Sequence, residues 1–94
     1  MKRVERIAEY EGILDRAEQT AQQLEDALKA YADIQPDLRK LEKYYASAQW
    51  KKDFEADEKG RLPAGLKRGV LSEDGIFNVL ERYRELKEKV SVDE

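Results

Sequence analysis

Cysteine and histidine are both missing from this 94-residue sequence. Without cysteine there is no disulfide, no thiolate nucleophile and no zinc-thiolate or iron-sulfur site, and nothing in the chain speaks for an oxidising compartment. Without histidine the chain lacks the side chain best suited to proton transfer near neutral pH and the commonest transition-metal ligand. Any active site must then use carboxylates, lysine, tyrosine or hydroxyls alone, so the expectation is that the protein is not an enzyme and holds no cofactor. A lysine-assisted serine would need a Ser-x-x-Lys pairing, and neither Ser47 nor Ser72 has one. Long apolar runs are also absent. The longest charge-free stretch is the seven residues from Tyr44 to Trp50, against about 20 needed to cross a bilayer. Glu5 interrupts any signal-peptide core after Lys2 and Arg3. The expectation is a soluble, cytoplasmic protein with no membrane partner.

What is present is charge of both signs. Charged residues make up 41% of the chain and apolar residues 40%, yet the net charge is only -3. Disorder requires high net charge together with few apolar groups, so a folded single domain over residues 1–94 is expected. The isoelectric point near 5.2 opposes nucleic-acid binding, which rests on counterion release by clustered Lys and Arg. Arg39, Lys40, Lys43, Lys51 and Lys52 then read as a solvated face.

From Arg3 to Tyr31 the apolar positions Ile7, Tyr10, Leu14, Ala17, Ala21, Leu24, Leu28 and Tyr31 recur at alternating steps of three and four. Four such heptads place one stripe along a helix about 45 Å long. Val4, Ile13 and Ala27 widen the stripe, and Ala17 and Ala21 make its middle small. Pro36 predicts the end of this helix and the first turn of another, with a kinked continuous helix as the alternative. Leu38, Leu41, Tyr45 and Ala48 carry the second periodicity. Between Asp53 and Val70 no period persists, and Gly60, Pro63, Gly65 and Gly69 predict a structured loop, pinned by Leu62, Leu66, Val70 and Leu71. Ser72 can cap a last helix bearing Ile76, Val79, Tyr83, Leu86 and Val90, and Ser91 to Glu94 should fray. The pattern predicts an all-α, three-helix antiparallel bundle: helix 2–32, coiled-coil-like, helix 36–52, loop 53–71 and helix 73–90.

The acidic run Asp53, Glu55, Asp57, Glu58 offers hard oxygen ligands for calcium or magnesium. It fails the calcium-loop template, because counting from Asp53 puts Glu58 at the glycine position and Ala64 at the bidentate glutamate position. Pairing with the equal and opposite block of Lys59, Arg61, Lys67 and Arg68 is the plainer reading. The Lys67 to Gly69 turn before Ser72 resembles an anion site, but Glu73 and Asp74 would repel the anion. Trp50 and Phe54, four apart, share a face if the second helix reaches them, and they serve either as core or as an interface anchor.

Leu41, Glu42, Tyr44, Tyr45, Ser47, Trp50, Asp53, Glu55 and Asp57, followed by the run from Lys67 through Arg68, Gly69, Val70, Leu71, Ser72 and Glu73 to Asp74, resemble a family of small bacterial proteins known as domain of unknown function 4298. The resemblance covers nearly the whole chain and implies a helical bacterial protein without an established activity. It transfers no catalytic or binding residue. It does suggest that the Tyr44 to Asp57 and Arg68 to Asp74 segments go together, and Arg68 pairing with the acidic run would dock the loop. The expected function is a non-enzymatic helical interaction or self-association module, a homodimer in its simplest form. Trp50, Phe54, Tyr44, Arg68, Ser72 and Asp74 form its candidate surface. The alternative is small-ligand or divalent-metal binding through residues 53–58, with Asp53, Glu55 and Asp57 as ligands, and through the 67–74 loop.

Overall fold

The first apolar stripe does form a helix, and proline does not end it. In the computed structural model, which describes residues 2–90, α1 spans Lys2–Tyr45 with Pro36 inside it. Then come α2 (Ala48–Glu58), a single 3-10 turn (Gly69–Leu71) and α3 (Gly75–Val90). No strand occurs among the described residues, so the class is all-α with a long first helix. The expectation for Ser91 to Glu94 lies outside the described residues.

Three expected boundaries are corrected. Helices 2–32 and 36–52 with a hairpin between them give way to continuous helix through Pro36. The missing proline N–H removes a bond to the Ala32 carbonyl and the ring crowds it, together costing about 3 kcal/mol or more. Around it, the Gln35 side-chain amide donates to the Tyr31 carbonyl at 3.1 Å, and helical phase beyond the proline carries Leu38 into the core. No glycine or asparagine stands ahead of Pro36 to stop the helix in a left-handed cap. Second, the loop expected over 53–71 starts later, because Asp53 to Glu58 are helical. Third, the last helix starts at Gly75 instead of residue 73.

Contacts divide the chain into two units, Met1–Gln35 and Pro36–Glu94. In the first, none of the described residues 2–35 is buried. The second has a small core of Leu38, Leu71 and Ile76, the last only 2% exposed. Of the four residues expected to pin the loop, Leu71 is buried and Leu62 half-buried, while Leu66 and Val70 keep exposed side chains.

Ser47 sets the real boundary between the first two helices. Its backbone is extended, with φ -90° and ψ 159°, so the helix cannot continue through it. Its hydroxyl donates to the Tyr44 carbonyl at 2.6 Å and accepts from the Trp50 N–H at 3.2 Å. One side chain thus adds a second bond to the Tyr44 carbonyl, which also accepts the Ser47 N–H at 3.0 Å, and satisfies an orphan donor of the starting helix. At the far end of α2, Gly60 takes φ +69°. Its N–H reaches the Asp57 carbonyl and the Arg61 N–H reaches the Ala56 carbonyl, at 3.0 and 2.9 Å. This pair of bonds defines a Schellman cap, which needs a left-handed residue where glycine sits.

Ser72 acts as expected but from farther out. Its hydroxyl donates to the Gly69 carbonyl at 2.8 Å and accepts from the Gly75 N–H at 3.0 Å, fastening the 3-10 turn to the start of α3. The approach is so close that a Cβ on Gly75 would lie 2.5 Å from the Ser72 hydroxyl and nearer still to the Gly69 carbonyl.

Candidate functional site

On α2, side chains four residues apart share a row, and two such rows hold the surrounding chain. One row is aromatic. Trp50 stacks on Phe54 with ring centroids 5.2 Å apart and 22° between planes, and Tyr45 meets Trp50 edge to face at 5.1 Å and 77°. Both geometries suit the ring quadrupoles. The Trp50 indole N–H donates to the Val70 carbonyl at 2.9 Å, so the tryptophan holds the end of the loop through a backbone acceptor.

The adjacent row is polar: Gln49, Asp53, Asp57. The Asp53 carboxylate accepts from the Tyr44 hydroxyl at 2.7 Å and from the Gln49 amide at 2.8 Å. These two donors, Tyr44 first, hold the Asp53 pKa below the usual carboxylate value. The same bond, aided by desolvation and the carboxylate's charge, pushes the Tyr44 phenol up to about 12. Asp57 accepts from the Arg68 guanidinium at 2.6 Å, with both side chains partly shielded. Arg68 therefore does dock the loop onto the acidic run.

Of the candidate surface residues, Tyr44, Trp50, Phe54 and Arg68 are half-buried, and Ser72 and Asp74 are exposed. Trp50 and Phe54 stack on α2, Tyr44 at the end of α1 bonds to the same helix at Asp53, and Arg68 bonds to it at Asp57. Ser72 and Asp74 sit at the start of α3, where the Asp74 carbonyl accepts the first helical bond, from the Asn78 N–H. The carboxylates of the acidic run are separated too. Asp53 and Asp57 lie on one side of the helix, both already engaged, while Glu55 is about 200° round from Asp53. Among the described residues no group of three or more potential ligands is placed to hold a metal.

Sequence reasoning missed an open groove of about 520 Å³, lined by Leu41, Lys67, Gly69, Val70, Gly75, Ile76 and Val79. Its apolar members come from three separate segments. The glycines at 69 and 75 were the only local signal, and they read equally well as turn punctuation.

A family model described as Domain of unknown function (DUF4298) matches residues 7–91. The chain belongs to this family. No curated protein and no solved structure matches it. Membership in DUF4298 assigns no activity, and the match spans both units of the chain. No helix among the described residues of this DUF4298 protein is long and apolar enough to cross a membrane.

Proposed function

We propose that this DUF4298 protein is a non-enzymatic, cytoplasmic helical interaction module that offers the α1 stripe to another helix in coiled-coil fashion. One observation carries the reading: the stripe is built like a buried seam and is exposed. Tyr10 is 62%, Leu24 60% and Ile7 53% accessible, and Val4, Ile13, Leu14 and Leu28 are exposed with them. A contiguous apolar face of this length, about 450 Å², matches the largest patches that monomers show to water, and such patches are often interaction sites. Chemical cross-linking in source cells, followed by purification, tests it. Wild type and a Gln19→Asp control on the opposite face should carry a covalently captured protein, either another copy or a different chain. Leu14→Asp/Leu24→Asp should lose it, and equal capture by all three proteins would sink the reading.

The groove favours a second reading, a site for a small amphiphile. It is mainly apolar, its volume suits a small molecule, and among the described residues Lys67 is the one ionisable group on its wall. Calorimetric titration with dodecanoate should then show saturable heat that Lys67→Ala weakens. Absence of heat in the wild type rejects it.

A further inference from the structure

Resting on the interaction reading above, we infer that the occupant of the α1 stripe is a second copy of this chain, parallel and in register, with each Arg6 paired to the partner's Glu11. The seam supplies the first argument. Ile7, Leu14, Ala21 and Leu28 fall at the first position of successive heptads, and Tyr10, Ala17, Leu24 and Tyr31 at the fourth. A strict seven-residue repeat over four heptads matches a partner with the same repeat, because knobs enter holes of equal spacing only when both helices supercoil together.

Area is the second argument. From Val4 to Ile34 the stripe is about 45 Å long and roughly 10 Å wide, or about 450 Å² per copy. Two copies bring together about 900 Å² of apolar surface. At the roughly 65% apolar share of homodimer interfaces this makes about 1,400 Å² in all, within the standard range for stable association.

Charge settles the direction. Beside the seam run two rows: Glu11, Glu18 and Glu25 on one edge, and Arg6, Ile13, Thr20, Ala27 and Ile34 on the other. An antiparallel pair sets each edge against its own kind, so Glu11 would face the partner's Glu25, Glu25 the partner's Glu11, and Glu18 the partner's Glu18. A parallel pair sets each residue of the second edge against the residue five positions later in the partner. Arg6 then meets the partner's Glu11 twice by symmetry, Ile13 meets the partner's Glu18, Thr20 meets the partner's Glu25, and no like charges meet. Among the described residues neither Arg6 nor Glu11 has an ion-pair partner within its own chain. With three repulsive pairs avoided and two attractive pairs gained, at a few tenths of a kcal/mol each, the parallel arrangement is favoured about tenfold or more. The small Ala17 and Ala21 layers let the two copies approach closely at mid-seam.

A chain free of cysteine makes the test clean. Sedimentation equilibrium gives the mass, and oxidation of the variants Tyr10→Cys and Leu28→Cys gives the direction, since these positions lie about 27 Å apart along the helix. The inference expects a dimer, with each variant cross-linking to itself, and Arg6→Glu weakening association about five- to tenfold until Glu11→Arg restores it. A dimer that cross-links only when the two cysteine variants are mixed is antiparallel. That outcome overturns the register and leaves the interaction reading intact. A monomer at all concentrations to 1 mM overturns the second copy as occupant, and the in-cell capture above then decides separately whether a different chain binds.

Discussion

Gly75→Ala tests the packing of the second unit most sharply, because two effects of opposite sign act at one atom. Alanine restricts the unfolded chain and by itself stabilises a compatible site by about 0.4–1 kcal/mol. Here the new Cβ would lie 2.5 Å from the Ser72 hydroxyl and closer to the Gly69 carbonyl. The carbonyl belongs to the backbone of the 3-10 turn and cannot swing aside as a side-chain tip could. Relieving the clash costs about 1–3 kcal/mol, and losing the Ser72 to Gly75 bond adds about 0.5–1.5 kcal/mol. The net expectation is destabilisation by about 1–3 kcal/mol. Trp50 is the sole tryptophan and is bonded to Val70 in this unit, so its fluorescence in urea reports the change directly. At a slope near 1 kcal/mol/M for so small a unit the midpoint should fall by about 1–3 M with the slope unchanged. Gly65→Ala is the control: its Cβ meets nothing within 4 Å, so its midpoint should hold or rise. A Gly75→Ala protein as stable as wild type would refute the close approach and the turn geometry built on it.

The other expectations are smaller and separable. Gly60→Ala places a Cβ in the left-handed region at φ +69° and should destabilise by about 1 kcal/mol in the same urea assay. Trp50→Phe keeps a ring for stacking but loses the bond to Val70, lowering stability by about 0.5–1.5 kcal/mol in thermal circular dichroism. Tyr44 should be the tyrosine whose absorbance at 295 nm titrates near 12, a step that Tyr44→Phe removes. Because its folded pKa is raised, its contribution is complete below about pH 10 and is lost as pH climbs toward 12. Asp53 has a lowered pKa, so its contribution is present above about pH 4 and is lost as pH falls further. Stability that stays flat at both extremes would contradict the pair. A double-mutant cycle with Arg68→Ala and Asp57→Ala should give a coupling of about 0.5–1 kcal/mol, modest because Arg68 keeps 37% of its side chain in water.

Helical character was legible outside Asp53 to Glu58, since three-and-four spacing survives any choice of partner. So was the docking of Arg68, which opposite charge blocks of equal size announce. Pro36 misled because propensity treats proline as a stop, whereas a helix yields only when a competing cap is available. No cap stands at residues 33–35, and the Leu38 and Leu41 row continues in phase beyond. The true stop, Ser47, is a single residue whose capping role depends on an extended φ/ψ that sequence does not display. Asp53 to Glu58 read as loop because the charge run masks periodicity. Their helical state shows through the pairs Trp50 with Phe54 and Gln49 with Asp53, and through Gly60 as terminator. The groove was illegible for another reason: its walls come from residues 41, 67–70 and 75–79, and only the tertiary fold brings them together.

The loop between α2 and the 3-10 turn is clasped at its base by Arg68 on Asp57 and by Trp50 on Val70. Everything between Arg61 and Lys67 is therefore a closed surface excursion whose ends are held by other residues. Doubling the length of such an excursion costs only about 0.6 kcal/mol. A peptide epitope spliced between Pro63 and Ala64 should consequently leave both clasps intact, giving a handle on this protein that spares the long helix and its seam.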